Sequence, residues 1–248
     1  MIHHEPRPRP APWVIRRSHL PHRWLVPFVA FDWAWEWVAF VLSRWNFLEV
    51  LEYLGSFSVL VAVIFYFSES GDRIKQRHYQ AWQVINTAQG KGGSGGRIEA
   101  LQELNADRVP LVGVDVSSAF LQGIHLGRAR LVRANLSTAD LRNSDFHLAD
   151  FTWADMHSAN LRYSNLQNTV FDNANLQEVD LVGCNLAGAR LDSADLSGAD
   201  LRFADLKGVA WKRLAAIRMA NIAHIRNAPD GFIAWALQNG AIQKPSDE

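Results

Sequence analysis

The 248-residue sequence predicts a four-sided all-β solenoid, preceded by an α-helical membrane and connector segment and closed by short helical caps. Two observations carry this. From Leu111 to Trp211 an apolar residue recurs at every fifth position without a slip of register, and residues 54–67 form an uncharged, strongly apolar stretch.

The chain begins with a basic, proline-rich tail, residues 1–23, in which Arg7, Arg9, Arg16, Arg17 and Arg23 face a single acid, Glu5. This local excess matters more than the total. Lys plus Arg and Asp plus Glu both number 25, so no overall field gathers nucleic acid. Cys184 is the only cysteine, which excludes an intrachain disulfide and a cysteine-rich metal cage.

Residues 24–69 read as a membrane helix or helical hairpin. Residues 47–67 would rise about 31 Å as a helix, matching a bilayer core. Glu49 and Glu52 lie near the start, at headgroup level. Upstream, residues 24–42 are apolar but contain Pro27, Asp32 and Glu36, and five of the ten tryptophans (Trp24, Trp33, Trp35, Trp37, Trp45) fall within 22 residues. This stretch is either a second span, turned back near Trp45 and Asn46, or an interfacial helix with tryptophan anchors. Asp32 and Glu36 share one helix face and are the candidate membrane-embedded acids. Interfacial placement or pairing with Arg44 competes with an ion or proton path. A soluble hairpin packed on the solenoid is the alternative to a membrane segment, but residues 54–67 have no polar face to leave in water. A removable signal peptide is not expected, because the basic region is long and proline-rich and no cleavage-like site follows an early apolar stretch. Arginines before the segment, and Arg73, Lys75 and Arg77 after it, predict a hairpin with both ends cytoplasmic. With a single span the two flanks compete and the topology stays open.

Residues 70–110 read as a helical connector, a hinge and an N-terminal cap. Ile74, Tyr79, Trp82 and Ile85 give a helical stripe. Glycine-rich residues 90–96 lack the spacing of a phosphate loop, and no strand precedes them, so they read as a flexible linker. Ile98, Leu101 and Leu104 mark a short helix that would cover the solenoid's first end.

In residues 111–211 the recurring centre is Leu, Val, Phe, Met or Trp. Two positions before it the residue is usually small, and one before it is mostly Asp or Asn, as in Ala139-Asp140-Leu141 and Ala174-Asn175-Leu176. A period of five fits neither a helix nor a strand. It fits a chain that turns a corner every five residues, with four sides closing a coil of twenty and coils stacking at about 4.8 Å. Asp and Asn suit the turns because their short side chains bond nearby backbone. Phe151 and Phe171 would stack as an aromatic rung beneath Trp211, and Cys184 takes an inward, packing position.

The repeated Ala-Asp/Asn-Leu-x-x closely resembles the pentapeptide-repeat family over about two-fifths of the chain. The resemblance implies a right-handed quadrilateral β-helix. After Trp211 the motif returns once, at Ala220-Asn221-Ile222, eleven residues on rather than ten. Residues 212–219 are therefore expected to bulge out as a short helix or loop. Within 212–248 a turn and short helix carrying Phe232, Trp235 and Leu237 would cap the open end.

No nucleophile–base–acid arrangement is recognisable, and the carboxylates recur with the turns rather than converging in a cleft, so no enzyme and no cofactor are expected. His125, His147 and His157 fall on different sides and predict no metal cluster. The candidate partner-binding surface is an outward stripe: Arg142, Arg162 and Arg202 at twenty-residue steps with Val182 between, with Tyr163 and Phe203 one residue later. Trp153, on another side, is a second candidate contact. Against a docking face stands a self-neutralising ladder with Asp140, Asp180 and Asp200. The resulting expectation is a membrane-tethered scaffold or accessory protein with a membrane-associated protein partner, in a bacterial inner or plasma membrane with the repeats cytoplasmic. Membrane lipid is a partner; nucleic acid and small-molecule substrates are not expected. Two alternatives stand beside it. The resemblance implies a DNA-mimicking protein that binds topoisomerases such as gyrase, although 12 acids against 8 bases in residues 111–211 is a modest excess. Asp32 and Glu36 would instead suit a membrane sensor or channel-associated subunit.

Overall fold

The computed structural model describes residues 8–18, 26–44, 47–88 and 94–245. His3 and His4, the stretch with Arg23 and Trp24, the predicted turn at Trp45 and Asn46, and hinge residues 89–93 lie outside these. The chain divides into two compact units, Met1–Arg73 and Ile74–Glu248.

The first unit is helical: α1 (Trp13–Ser18), α2 (Val26–Arg44) and the opening part of α3 (Phe47–Thr87). The boundary read at residues 69/70 falls inside α3, which runs for 41 residues through apolar and connector sequence alike. Tryptophans order the N-terminal side of this unit. Trp13 packs on Trp33 at 5.6 Å, the Trp33 indole N–H donates to the Ala11 carbonyl at 2.8 Å, and the Arg9 guanidinium lies 5.6 Å from the Trp37 ring. Residues 8–18, read as part of a tail, therefore lie along α2. Elsewhere the unit is strongly apolar and open. Phe28, Phe31 and Trp35 of α2 are exposed, and between Tyr53 and Tyr66 no residue of α3 is buried. Both helices are apolar and long enough to cross a membrane, by length and composition alone.

In the second unit the five-residue period becomes four-sided coils linked by single parallel bridges rather than extended strands, from Asp115↔Asn135 to Arg190↔Ala210, each twenty residues apart. The backbone donors explain the sequence pattern. On the side that starts at Leu136, the N–H groups of Leu136 and Thr138 donate forward to the next coil, at Asp155 and His157. Asp140 donates back to Ala119, and Ala139 closes the turn onto Leu136. That leaves one donor, Ser137, and the Asn135 side-chain oxygen accepts it at 3.1 Å. The same bond recurs at Asp140, Asp155, Asn175, Asp195 and Asn221. Where Asp or Asn precedes the centre it thus completes the hydrogen-bond account of that turn, and either residue serves because only an acceptor oxygen is needed.

Every centre from Leu111 to Leu206 is buried, and Trp211 is half-buried. Phe151 and Phe171 stack face to face at 5.2 Å, with Phe146 edge-on to Phe151 at 5.3 Å. Leu191 intervenes before Trp211, whose ring instead meets Phe232 and Trp235 at 5.4 and 5.2 Å. The inward "small" positions are not small at the ends: Val114 and Ile124 in the first coil, and Val209 and Leu214 in the last, fill space where no further coil stacks. Mid-solenoid, Ser144, Ser164 and Cys184 form a polar column within the core. The Ser164 hydroxyl and the Cys184 thiol donate to the carbonyls of Leu141 and Leu161, each at 2.9 Å.

Residues 212–219 do not leave the coil. Bridges shift from Arg190↔Ala210 to Asp195↔Ala216, so one extra residue is absorbed between Trp211 and Ala216. Ile217 is the next buried centre and Ala220-Asn221-Ile222 follows in the new register. A single-residue bulge preserves almost every ladder bond, whereas a looped-out segment would strand eight residues of backbone donors.

Both ends are capped. At the first, α4 (Arg97–Ala106) buries Ala100, Leu101 and Leu104 against the core, together with Ala81 and Ile85 of α3. Of the predicted connector stripe, Ile85 is buried and Trp82 packs on the core, while Ile74 and Tyr79 stay exposed. Side-chain amides of α4 stand in for the missing coil: Gln102 accepts the His125 N–H at 2.8 Å, and Asn105 donates to the Gly127 carbonyl at 3.1 Å. At the other end α5 (Phe232–Gln238) turns Phe232 and Ala236 inward and leaves Leu237 exposed. The chain then adds one more rung, Asn221↔Ile242.

Candidate docking face

The predicted stripe is one side of the coil, built on Leu141, Leu161, Leu181, Leu201 and, across the inserted residue, Ile222. Its first outward column is Arg142, Arg162, Val182 and Arg202; its second is Asn143, Tyr163, Gly183, Phe203 and His224. His224 joins because the register step is 21 there, a signal present in the eleven-residue spacing of the last repeat.

Each arginine has a carboxylate. Arg142 binds Asp140 through Nε at 2.8 Å and Nη2 at 2.6 Å, and Arg202 binds Asp200 at 2.7–3.0 Å. Arg162 follows Asn160 instead of an aspartate and reaches Asp180 of the next coil at 3.3 Å. The Arg142 guanidinium holds the Asp140 carboxyl below its ordinary range, and Asp140 raises Arg142 in return. These pairs stand in solvent, where each contributes about 0–1 kcal/mol. The ladder expected from the sequence is therefore present, and it neutralises the stripe's charge.

What it leaves open is aromatic. Tyr163 is exposed, with the Arg162 guanidinium 5.9 Å from its ring, and Phe203 stacks on His224 at 5.1 Å. Val182, between the arginines, is buried. Trp153 is also exposed but occupies the opposite side of the coil, so the structure does not bring it together with Tyr163 and Phe203. All three rings stand on left-handed backbone, at φ 60° for Tyr163 and 61° for Phe203 and Trp153. That conformation costs an L-residue about 1–2 kcal/mol relative to glycine, and glycine fills the same turn position at Gly183 and Gly198.

The acids of α2 have a partner other than the one expected. Arg16 of α1 binds Glu36 through both guanidinium nitrogens, Nη2 lying 2.8 Å from Oε1, and also reaches Asp32 at 3.4 Å. Arg16 precedes its partners by 20 and 16 residues and sits on a separate helix, so no periodic pattern could have linked them. Cys184 is fully buried and burial pushes its thiol up to about 12. Among the described residues no group of three or more His, Cys, Asp or Glu side chains is placed to hold a metal ion.

Against known proteins, a model of pentapeptide repeats matches eight copies over residues 111–147, 149–188 and 174–209. A search of curated proteins finds no match. Among solved structures, trypsin-treated QnrB1, a plasmid-mediated fluoroquinolone resistance protein, is 16% identical over 53% of this chain and 58% of that one, with a TM-score of 0.39. HetL, a pentapeptide repeat protein involved in heterocyst differentiation regulation in the cyanobacterium Nostoc sp. strain PCC 7120, is 30% identical over 47% of this chain and 57% of its own, with a TM-score of 0.25. A pentapeptide repeat protein of the Arabidopsis thaliana thylakoid lumen is 22% identical over 53% and 78%, with a TM-score of 0.27. The chain thus spans less than two thirds of that trypsin-treated QnrB1 and of HetL. With its buried centres, its Asp/Asn turn bonds and its twenty-residue rungs, the region from residue 111 to 209 has the features of the pentapeptide repeats that the family model matches there.

Proposed function

We propose that this protein is a non-enzymatic scaffold, tethered to a membrane by α2 and the apolar part of α3, that presents its repeat rod to a protein partner. The observation that carries the tether is the stretch from Tyr53 to Tyr66, apolar on all sides of the helix with no residue buried. In water such a surface would drive aggregation; in lipid it is the expected surface of a helix. The Arg16 clasp on Asp32 and Glu36 fits the same reading, since pairing lowers the penalty for acids near hydrocarbon. It also weighs against a proton or ion path through those acids.

For the partner, the supporting feature is the face of Tyr163 and Phe203, whose neighbouring arginines are already neutralised. An aromatic surface with self-compensated charge suits a protein contact, where aromatic and Arg anchors dominate. A topoisomerase partner, which would require imitation of a phosphate backbone, has the small net charge of the solenoid against it.

Fractionation followed by cross-linking from intact membranes tests both halves. The full chain should resist carbonate extraction, and a cross-linker at residue 163 or 203 should capture one protein that the same reagent at Asn173 does not. Recovery of the full chain in the soluble fraction sinks the tether. Inhibition or protection of gyrase in a supercoiling assay would replace the partner reading with the topoisomerase one.

A further inference from the structure

Five arginines of the later coils are matched to a carboxylate: Arg142 with Asp140, Arg162 with Asp180, Arg190 with Asp172, Arg202 with Asp200 and Arg213 with Asp192. Around the first coil, Arg108, Arg128 and Arg130 have no carboxylate partner among the described residues, and all three are exposed. Two acids at the cap are engaged elsewhere. Asp107 takes His78 at 2.7 Å and Glu103 takes Arg77 at 3.7 Å.

These three arginines line one cleft of about 540 Å³ at the junction of α4 and the first coil, with Asn105, Pro110 and Gly127 and no acidic side chain. One of these basic residues sits where the backbone favours glycine. Arg108 is the left-handed residue that ends α4: its N–H bonds Asn105 O, and the following Val109 N–H reaches back to Leu104 O. Glycine is the usual residue at that position, and α5 has Gly240 there, bonded in the same way. An arginine at φ 59° is more strained there than glycine would be. Arg128, at φ 63°, occupies the left-handed turn position that recurs along the coils. Among the described residues, the Arg130 N–H also lacks the backward bond that the corresponding Asp150 makes to Ala129, because no coil precedes it. Three like charges around a concave surface focus a positive potential, and guanidinium forks match phosphate oxygens two at a time.

We propose that this cleft binds a ligand bearing phosphate groups, with Arg108, Arg128 and Arg130 as its anion contacts. The chemistry is shared by a free phosphate compound and by a phospholipid headgroup. The site lies wholly within the solenoid unit and does not depend on the tether or on the docking face.

The full chain in an uncharged detergent is titrated with inorganic pyrophosphate, and separately with short-chain phosphatidic acid against short-chain phosphatidylcholine, by calorimetry. The variant is Arg108→Gly/Arg128→Gly/Arg130→Ala, in which glycine suits both left-handed positions, so the fold is retained and its melting temperature verifies this. Saturable pyrophosphate binding, weakened at least tenfold in the variant and unchanged by Arg190→Ala, supports the site with a soluble ligand. Binding of phosphatidic acid alone, lost in the variant, supports it with a headgroup. Binding of neither probe, or binding that the triple variant leaves intact, overturns the proposal.

Discussion

The Tyr163 ring lies over Gly183 so closely that a Cβ at residue 183 would come within 2.6 Å of it. Gly183 also sits at φ 69°, where any side chain is strained. Gly183→Ala is therefore expected to cost about 1–3 kcal/mol, the left-handed penalty of about 1–2 kcal/mol plus displacement of the tyrosine. The two parts separate in a double-mutant cycle by urea unfolding. In a Tyr163→Gly background the steric part should vanish and only the backbone part remain. Equal costs in both backgrounds would mean that the ring does not rest on Gly183 in solution.

Trp153 separates stability from binding. Trp153→Gly removes an exposed ring and relieves backbone at φ 61°. Relief of about 1–2 kcal/mol is offset by glycine's greater unfolded-state freedom, about 0.5–1 kcal/mol, and by lost apolar contact. Stability should stay within about 1 kcal/mol of the parent, measured by chemical denaturation. If Trp153 anchors a partner, capture of that partner falls sharply at unchanged stability. A loss of more than about 2 kcal/mol would show that the ring instead holds the coil together.

The buried thiol of Cys184 gives a pH signature. Burial pushes it up to about 12, well above the ordinary thiol value of about 8.5. The folded state therefore holds the proton more tightly than the unfolded chain. Its contribution is complete below pH ~8.5 and is lost as pH rises toward 12. Ser already occupies the same column at Ser144 and Ser164, and Ser164 makes the equivalent bond to Leu141. Cys184→Ser should thus fold, and it removes the titration. Between pH 8 and 10 the parent should lose about 1–2 kcal/mol relative to the serine variant in urea unfolding. Parallel profiles would contradict the buried, protonated thiol.

How much of this was legible depended on whether a feature repeats. Leu111 through Leu206 could be placed inward because one physical environment recurs every five residues, and the turn role of Asp and Asn followed from the same repetition. The left-handed backbone beneath Leu148, Trp153, Tyr163 and Phe203 was not legible, although Gly113, Gly123, Gly183, Gly188, Gly198 and Gly208 mark that turn position. Bulky residues there disguise a glycine pattern that the ladder bonds enforce. Features that occur once were harder. Ile217 went unseen as a centre because a single inserted residue breaks the count, and Gln102 and Asn105 act as a substitute coil through side chains that no period marks. Arg16 meets Asp32 and Glu36 only through tertiary packing of α1 on α2. The docking residues were found as a column, but whether their arginines were free or paired required the distances.

Asp140 distinguishes turn chemistry from charge. Its Oδ1 accepts the Arg142 N–H at 3.3 Å, while both carboxylate oxygens hold the Arg142 guanidinium. Asp140→Asn keeps an acceptor for the turn, as Asn135, Asn160 and Asn175 show, and removes the ion pair. The expected cost at neutral pH is about 0–1 kcal/mol. Asp140→Ala removes the acceptor as well and should cost about 1–2 kcal/mol. The pH dependence follows from the carboxyl, which the Arg142 guanidinium lowers on folding. Its stabilisation is present above the ordinary carboxylate pKa of about 3.9 and is lost as pH falls through the lowered folded value. The parent and Asp140→Asn should therefore differ at pH 7 and converge as pH falls through the lowered folded value, whereas the deficit of Asp140→Ala should persist in part at low pH, because a protonated carboxyl still offers an oxygen to the turn. If the asparagine variant were as unstable as the alanine variant at pH 7, the ion pair, and not the turn acceptor, would be what this position contributes to the coil.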